Sequence, residues 1–408
     1  MTGTRPDGIV SRTATAADAE EVLALIGARS GPEDVPEAEA AFIDGQDGFK
    51  RWLVAADGPR IVAVLALWEE RVRVGETWLQ AGQIDFVATA SGYGRRGLMR
   101  GLIDEAHVRC AARRDALQIM LGIPYFYRQF GYSYTVPIPV THEVPPDAKL
   151  EPPTDVLVRR ATGDDLPALQ ALQEEAQRGA DVAMPHSSHM WRWLMKAATV
   201  ELRIAEEGGM PAGMSRLKRA PGAPDELVVA EVAAPTVEVA RALLADARSL
   251  VGGSAISVVD RPAGALAHVL AEVGRHSYGG GADEYLIRVA DPVVLLDALR
   301  PTLSARLNAS AFGRGSGELL VSFYRRSAVL RYEGGAVTHV AAAPGEQAPV
   351  SEGGAGVPPD LVANLVFGPH GALELEATHA DLNLGRQRAL METLFPPLRA
   401  DILVFYID

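Results

Sequence analysis

Apolar positions along the first third of the chain change spacing several times, and each change predicts an element. "RWLVAAD" (51–57) and "RIVAVLALWEERVRVG" (60–75) alternate or run apolar around Asp57–Gly58–Pro59, which predicts a β-hairpin. "GQIDFVATA" (82–90) is a further short β-type run. In "RGLMRGLIDEAHVRCAARR" (96–114) the spacing becomes helical, with Leu98, Leu102, Ile103, Ala106 and Cys110 on one face. "ALQIMLGI" (116–123) returns to strand. Strands, a glycine-rich loop, a helix and a strand, in that order, predict an α/β domain with a ligand at the end of the strand before the loop.

The same rhythm returns later. "VSRTATAADAEEVLAL" (10–25) resembles "LVRRATGDDLPALQAL" (157–172), an offset of 147 residues. Thr15 and Thr162 stand at N-cap positions, with Asp18 and Asp165 three residues on, a capping-box-like arrangement. Paired strands follow in "VELRIAEEGG" and "GMSRLKRA", then a strand in "ELVVAEVAAP" and a helix in "VEVARALLADARSL". The second copy has no counterpart of the glycine loop. From about residue 291 the pattern changes again. "DPVVLLDALRP", "DLVANLVFG" and "RQRALMETLFPP" are helical, whereas "ELLVSFYRRSAVLRYEGGAVTHVAA" and "GALELEATHADL" predict short strands with glycine turns. "DILVFYID" closes the chain as a strand. The expected domains are 1–148, 149–290 and 291–408, with 145–153 as the first linker and 344–358 as a surface loop.

Composition narrows the class. The 408 residues carry a net charge of −13, which argues against a nucleic-acid or anionic-membrane binder. A single cysteine, Cys110, excludes an intramolecular disulfide framework and is expected in a core. No apolar stretch follows a basic head at the N-terminus, and no run approaches a membrane span, so a cytoplasmic protein is expected.

The chemistry concentrates in "ATASGYGRRGLMRGLIDEA" (88–106). The first N–H groups of a helix have no internal partner and carry the positive end of its dipole, and glycine lets an anion approach the backbone. Arg95 and Arg96 add charge, and Leu98 fixes the packing of the helix start. On these grounds alone the loop is either a pyrophosphate seat or a plain turn.

Val87–Ala88–Thr89 followed by Gly94–Arg95–Arg96–Gly97–Leu98–Met99 resembles the acetyl-CoA motif of GNAT acetyltransferases. Tyr127–Arg128–Gln129–Phe130–Gly131–Tyr132 resembles their Tyr-x-x-x-Gly-aromatic motif. Together with the three-part organisation, these motifs make the chain similar to the Eis (enhanced intracellular survival) family. It departs from the general GNAT pattern at Gly94, where a Gln or Arg is usual, and at Met99, where a small residue is usual.

The resemblance implies tandem GNAT folds, the first intact and the second degenerate, then a sterol-carrier-protein-like α+β domain. It implies acetyl-CoA as cosubstrate and transfer of its acetyl group to an amine (an aminoglycoside, a polyamine or a lysine side chain). Phe86, Val87, Ala88, Arg95, Arg96, Gly97, Leu98 and Met99 would hold acetyl-CoA. Tyr127 would be the general acid and the terminal carboxylate of Asp408 the general base. A homo-oligomer is implied, the hexamer being common in the family. The alternatives are a lipid-binding or assembly protein without catalysis, or an acetyl-CoA sensor.

Other candidates are weaker. His107 is expected on a helix surface. His142, His186 and His189 show no Ser or Cys partner, and no His/Glu spacing predicts a metal. Trp191 and Trp193 are expected in interdomain packing, and Asp34 and Glu37 on a solvated acidic segment, with a lesser expectation that they attract a polycation.

Overall fold

A computed structural model describes residues 3–4, 8–31, 34–43, 48–197, 199–220, 223–261, 264–276, 283–344 and 348–403. Its first unit is built on β1 (Val10–Thr13), α1 (Ala19–Arg29), α2 (Val35–Phe42), β2 (Trp52–Asp57), β3 (Arg60–Val74), β4 (Thr77–Thr89), α3 (Leu98–Arg113), β5 (Leu117–Met120) and β6 (Ser133–Pro137). The strands β1 to β4 are antiparallel neighbours, and β5 lies parallel to β4. The expected hairpin closes at Asp57↔Arg60, with Gly58 at φ 59° making the turn. The α3 face is the expected one, since Leu98, Leu102, Ile103, Ala106 and Cys110 are all buried.

The second unit comprises β7 (Thr141–Val144), β8 (Val156–Arg160), α4 (Leu166–Ala176), β9 (Val182–Met184), α5 (Ser188–Leu194), β10 (Val200–Glu207), β11 (Met210–Ala220), β12 (Ala223–Ala233), α6 (Val237–Ser249), β13 (Ile256–Val259), α7 (Leu266–Val273) and β14 (Arg275–His276). Its order β8-β10-β11-β12-β13 repeats that of β1-β2-β3-β4-β5, again with the last pair parallel. The likeness extends to side chains. Asp18 accepts the backbone N–H and hydroxyl of Thr15 and a two-pronged bond from Arg12 at 2.7 and 2.8 Å. Asp165 does the same with Thr162 and Arg159, at 2.8 Å for both prongs. Arg12 holds the Asp18 carboxyl down at about 2.

The units exchange strands. β15 (Glu284–Arg288), although it follows the second unit in sequence, sits in the first sheet between β5 and β6. β7 crosses the other way, pairing with β13 and β14. β9 pairs with the end of β3 and, in parallel, with a strand near the C-terminus, β20 (Ala400–Ile402). Glu231 on β12 accepts bonds from Gln173 and His186 at 2.8 and 2.9 Å, and Arg261 pairs with Asp401 at 2.8 Å. This buried polar cluster ties the second part of the chain to the third.

The third part has α8 (Pro292–Ala298) and α9 (Arg300–Asn308) against the sheet β16 (Ser316–Ser322), β17 (Ser327–Glu333), β18 (Ala336–Ala343) and β19 (Ala355–Gly356). Helices follow at Val362–Phe367, Ala372–Thr378 and Arg388–Leu394. The stretch 371–382 is therefore not the expected strand. Its alternation is short, its residues favour helix, and Ala372 and Leu375, three apart, are the buried ones. No helix among the described residues is long and apolar enough to cross a membrane.

Candidate active site

The β4/β5 pair aligns only over Ala81–Gln83 and Leu117–Ile119, after which the two strands part. On its other side β4 carries a bulge. Val64 pairs with Ala88 and Ala66 with Asp85, which leaves Phe86 and Val87 opposite Leu65 alone. Phe86 sits at φ 51°, a left-handed conformation that costs energy for a residue with a side chain. Its ring lies 5.0 Å from that of Trp52, so the core fixes the bulge. Ala88 is buried and Val87 half-buried.

The loop from Ala90 to Gly97 leads into α3. Arg95 at φ 62° and Gly97 at φ 72° are both left-handed, and no side chain caps the helix. The matching helix of the second unit differs. The Thr236 hydroxyl accepts the Val239 N–H at 3.2 Å, closing the end of α6. The second copy thus satisfies from a side chain a first-turn amide, whereas no side chain caps the first-copy helix. Arg95 and Arg96 are exposed, with Arg96 over the Tyr93 ring at 4.8 Å, while Tyr93 donates to Asp57. Leu98 is buried and Met99 half-buried against the core.

Tyr127 lies in a short 3-10 turn, Phe126–Phe130, and is 2% exposed. Burial, with the nearby Asp85, pushes its phenol up to about 12. A Cβ on Gly122 would lie 2.2 Å from the Tyr127 ring, so that glycine makes room for it. Of its neighbours, Tyr125 is exposed, Tyr134 takes the Tyr125 N–H at 2.5 Å, and Tyr132 is buried with its hydroxyl 3.2 Å from His107 Nε2.

Asp85, one residue before the bulge, is a group that motif reading missed. It is buried beside Gln83, which donates to it, and beside Trp68 and Glu70. Desolvation lifts its carboxyl to about 8, the Gln83 bond opposes this, and the charge of Glu70 adds to it. In sequence Asp85 is one acid in "QIDF", and only its inward register between Gln83 and Val87 hinted at burial.

The expectations for His107, His189 and Glu37 need correction. His107 is half-buried rather than on the surface, and burial, then Arg288, pushes its imidazole down to about 4. His189 does have a serine partner, with Nδ1 2.9 Å from Ser187 Oγ and Nε2 3.2 Å from Glu70, and its ring stacks on Trp68. Glu37 is buried and faces Lys218 at 3.9 Å, because α2 turns that face inward. His186 is buried against Glu231, and His142 meets Asp260 at 3.2 Å. Trp191 and Trp193 are buried in the core shared with the first unit. Cys110 is buried, its thiol pushed up to about 12. Asp408 lies outside the described residues.

A family model described as "Acetyltransferase (GNAT) domain" matches residues 11–135. The chain carries a GNAT acetyltransferase domain. Its matched span takes in the capping box, the β4 bulge, the loop and Tyr127. No curated protein matches the sequence. The fold is shared over nearly the whole length with solved structures. A GCN5-related N-acetyltransferase from Anabaena variabilis has TM-score 0.71 at 14% identity, covering 96% of this chain and 97% of that one. One from Kribbella flavida has 0.68 at 17%, covering 98% of each. Eis1 from Mycobacterium abscessus has 0.61 at 14%, covering 97% and 99%. The GNAT domain thus sits within a larger architecture that these proteins share.

Proposed function

We propose that this protein is an Eis-like enzyme that transfers acetyl from acetyl-CoA to an amine, with a single site in its first unit. The observation that carries the reading is an uncapped, left-handed entry to α3 beside the parted β4 and β5 and the buried Tyr127. Gly97, Leu98 and Met99 offer amides to the pyrophosphate, and Arg95 and Arg96 add charge. Phe86, Val87 and Ala88 line the pantetheine arm.

The amine nitrogen attacks the thioester carbonyl, forming a C–N bond as the C–S bond breaks. Tyr127 gives its proton to the departing thiolate; held up near 12, it stays protonated at neutral pH. The amine proton passes to a carboxylate. The terminal group of Asp408 is one such base, and the course of β20 supports it. That strand runs parallel to β9, and the segment beyond β9 meets Glu70 through Ser187 at 3.3 Å. Asp85 is the other, since a carboxyl near 8 matches an amine far better than an ordinary one. Tandem GNAT folds, degenerate in the second copy, and a sterol-carrier-like third part complete the reading, with units at 1–148, 149–290 and 291–408.

The test is coenzyme A release from acetyl-CoA against aminoglycosides, polyamines and lysine peptides. Amine-dependent release is expected, with Tyr127→Phe lowering kcat well before acetyl-CoA affinity. Binding without release for every amine would leave the sensor reading, and no binding would refute both.

A further inference from the structure

The register of β3 against β4 places Asp85, Gln83, Trp68 and Glu70 on one face of the first sheet. Ala66 pairs with Asp85, Trp68 with Gln83 and Glu70 with Ala81, and alternate residues of a strand share a face. All four side chains are buried, and the charge of Glu70 acts on Asp85. Gln83 stands between the two acids along the face and donates to Asp85. Its amide oxygen is buried with no partner among the described residues.

The two carboxyls are alike in burial and unlike in partners. Asp85 has Gln83 and Trp68 beside it, neither of which can take up a charge. Glu70 is met from the second unit. Ser187, which precedes α5, has its Oγ 3.3 Å from Glu70 Oε1 and 2.9 Å from His189 Nδ1, and His189 Nε2 lies 3.2 Å from the same carboxylate oxygen. Either tautomer of the ring delivers a donor to Glu70, Nε2–H directly or Nδ1–H by way of the Ser187 hydroxyl. The imidazole stacks on Trp68, with ring centroids 5.1 Å apart and planes 15° from parallel, so the face that carries both acids also fixes its orientation. Two further charged or titratable groups face the pair. They are Tyr127, whose phenol is raised by burial and by the Asp85 charge, and Arg51, whose guanidinium lies 5.4 Å over the Trp68 ring.

We propose that Asp85 and Glu70 hold one proton between them in the resting site, and that Ser187 and His189 of the second unit place it on Asp85. Two like charges close together in a dry site do not both persist, and the acid with the better donors stays ionised. The proton also answers the lone Gln83 oxygen, since an amide turned end for end accepts from a carboxylic acid. On the reading of Asp85 as the base, the second unit, which has no glycine loop of its own, sets the pH at which the first unit can accept the amine proton. Glu70, Ser187 and His189 are then positioning residues that act through Asp85.

The infrared carbonyl band of a protonated carboxyl reads this in the full chain. The band lost in Asp85→Asn identifies Asp85, and its disappearance with rising pH is followed in the wild type, in Glu70→Gln and in the Ser187→Ala/His189→Phe double variant. Glu70→Gln keeps the shape of the side chain, and His189→Phe keeps a ring on Trp68. A midpoint near 8 is expected in the wild type, and one lower by about 1 pH or more in both variants. In the double variant a second band should appear as the proton moves to Glu70, and it should vanish when Glu70→Gln is added. Absence of the Asp85 band from the wild type below neutral pH, a midpoint not lowered in either variant, or absence of the second band overturns the proposal. No acetyl transfer is read, so this result stands apart from the reading of Asp85 as the base, which fails separately if Asp85→Asn leaves kcat and its pH dependence unchanged.

Discussion

Replacing Asp85 by asparagine isolates what it costs to hold a carboxyl group between Gln83, Trp68 and Glu70. Volume is kept, and the side chain loses only its ability to ionise. Burial raises the group from 3.8 to about 8, so between those values the folded chain keeps a proton that the unfolded chain releases. The stability this proton supplies is complete below pH ~4 and is lost as pH rises through 8. A shift of roughly four units corresponds to about 5 kcal/mol at most, and relaxation of the surroundings lowers that. From pH 5 to pH 9 the variant should therefore gain on the wild type by about 3 kcal/mol, or roughly 3–4 °C in melting temperature for a chain of 408 residues that melts as one unit. Calorimetric scans of both proteins at the two pH values read this directly. An equal gap at both would refute the reasoning, because Asp85 would then be ionised throughout. In the amine assay, Asp85→Asn should also flatten the rise of kcat through pH 8.

Other expectations follow from single contacts. Gly122→Ala forces a Cβ to within 2.2 Å of the Tyr127 ring, and should lower kcat at least tenfold while acetyl-CoA affinity, by titration, moves less than about threefold. Glu231→Ala leaves Arg216 and His186 buried without their shared carboxylate, and should cost about 3–5 kcal/mol in urea unfolding. Cys110 should resist a disulfide reagent at pH 8 in the folded protein and react fully in urea, because its thiol is buried and pushed up to about 12.

Local grammar was the legible part of this chain. The Thr15/Asp18 and Thr162/Asp165 caps, the α3 face and the Asp57–Gly58–Pro59 turn depend on residues a few positions apart, and each formed as its spacing implied. What escaped depends on partners far along the chain. Glu37 is buried where α2 turns it toward Lys218, and His189 found Glu70 and Trp68 only across the junction of two units. Asp85 was hard to see for the same reason, since its carboxyl is raised first by burial and then by Glu70, which lies on the neighbouring strand β3. The stretch 371–382 failed differently, because its short alternation satisfied helix and strand alike until packing of Ala372 and Leu375 decided it.

The crossing of β7 and β15 sets a timetable for making the protein. When β5 leaves the ribosome, one edge of it has no partner, and the strand that covers it, β15, is encoded about 160 residues later. At roughly 5–20 residues per second, that edge waits ~10–30 s as an open template for other chains. The GNAT domain therefore cannot finish before nearly three quarters of the chain exists. A fragment cut after residue 148 would keep that exposed edge permanently and carry β7 away from the sheet it belongs to.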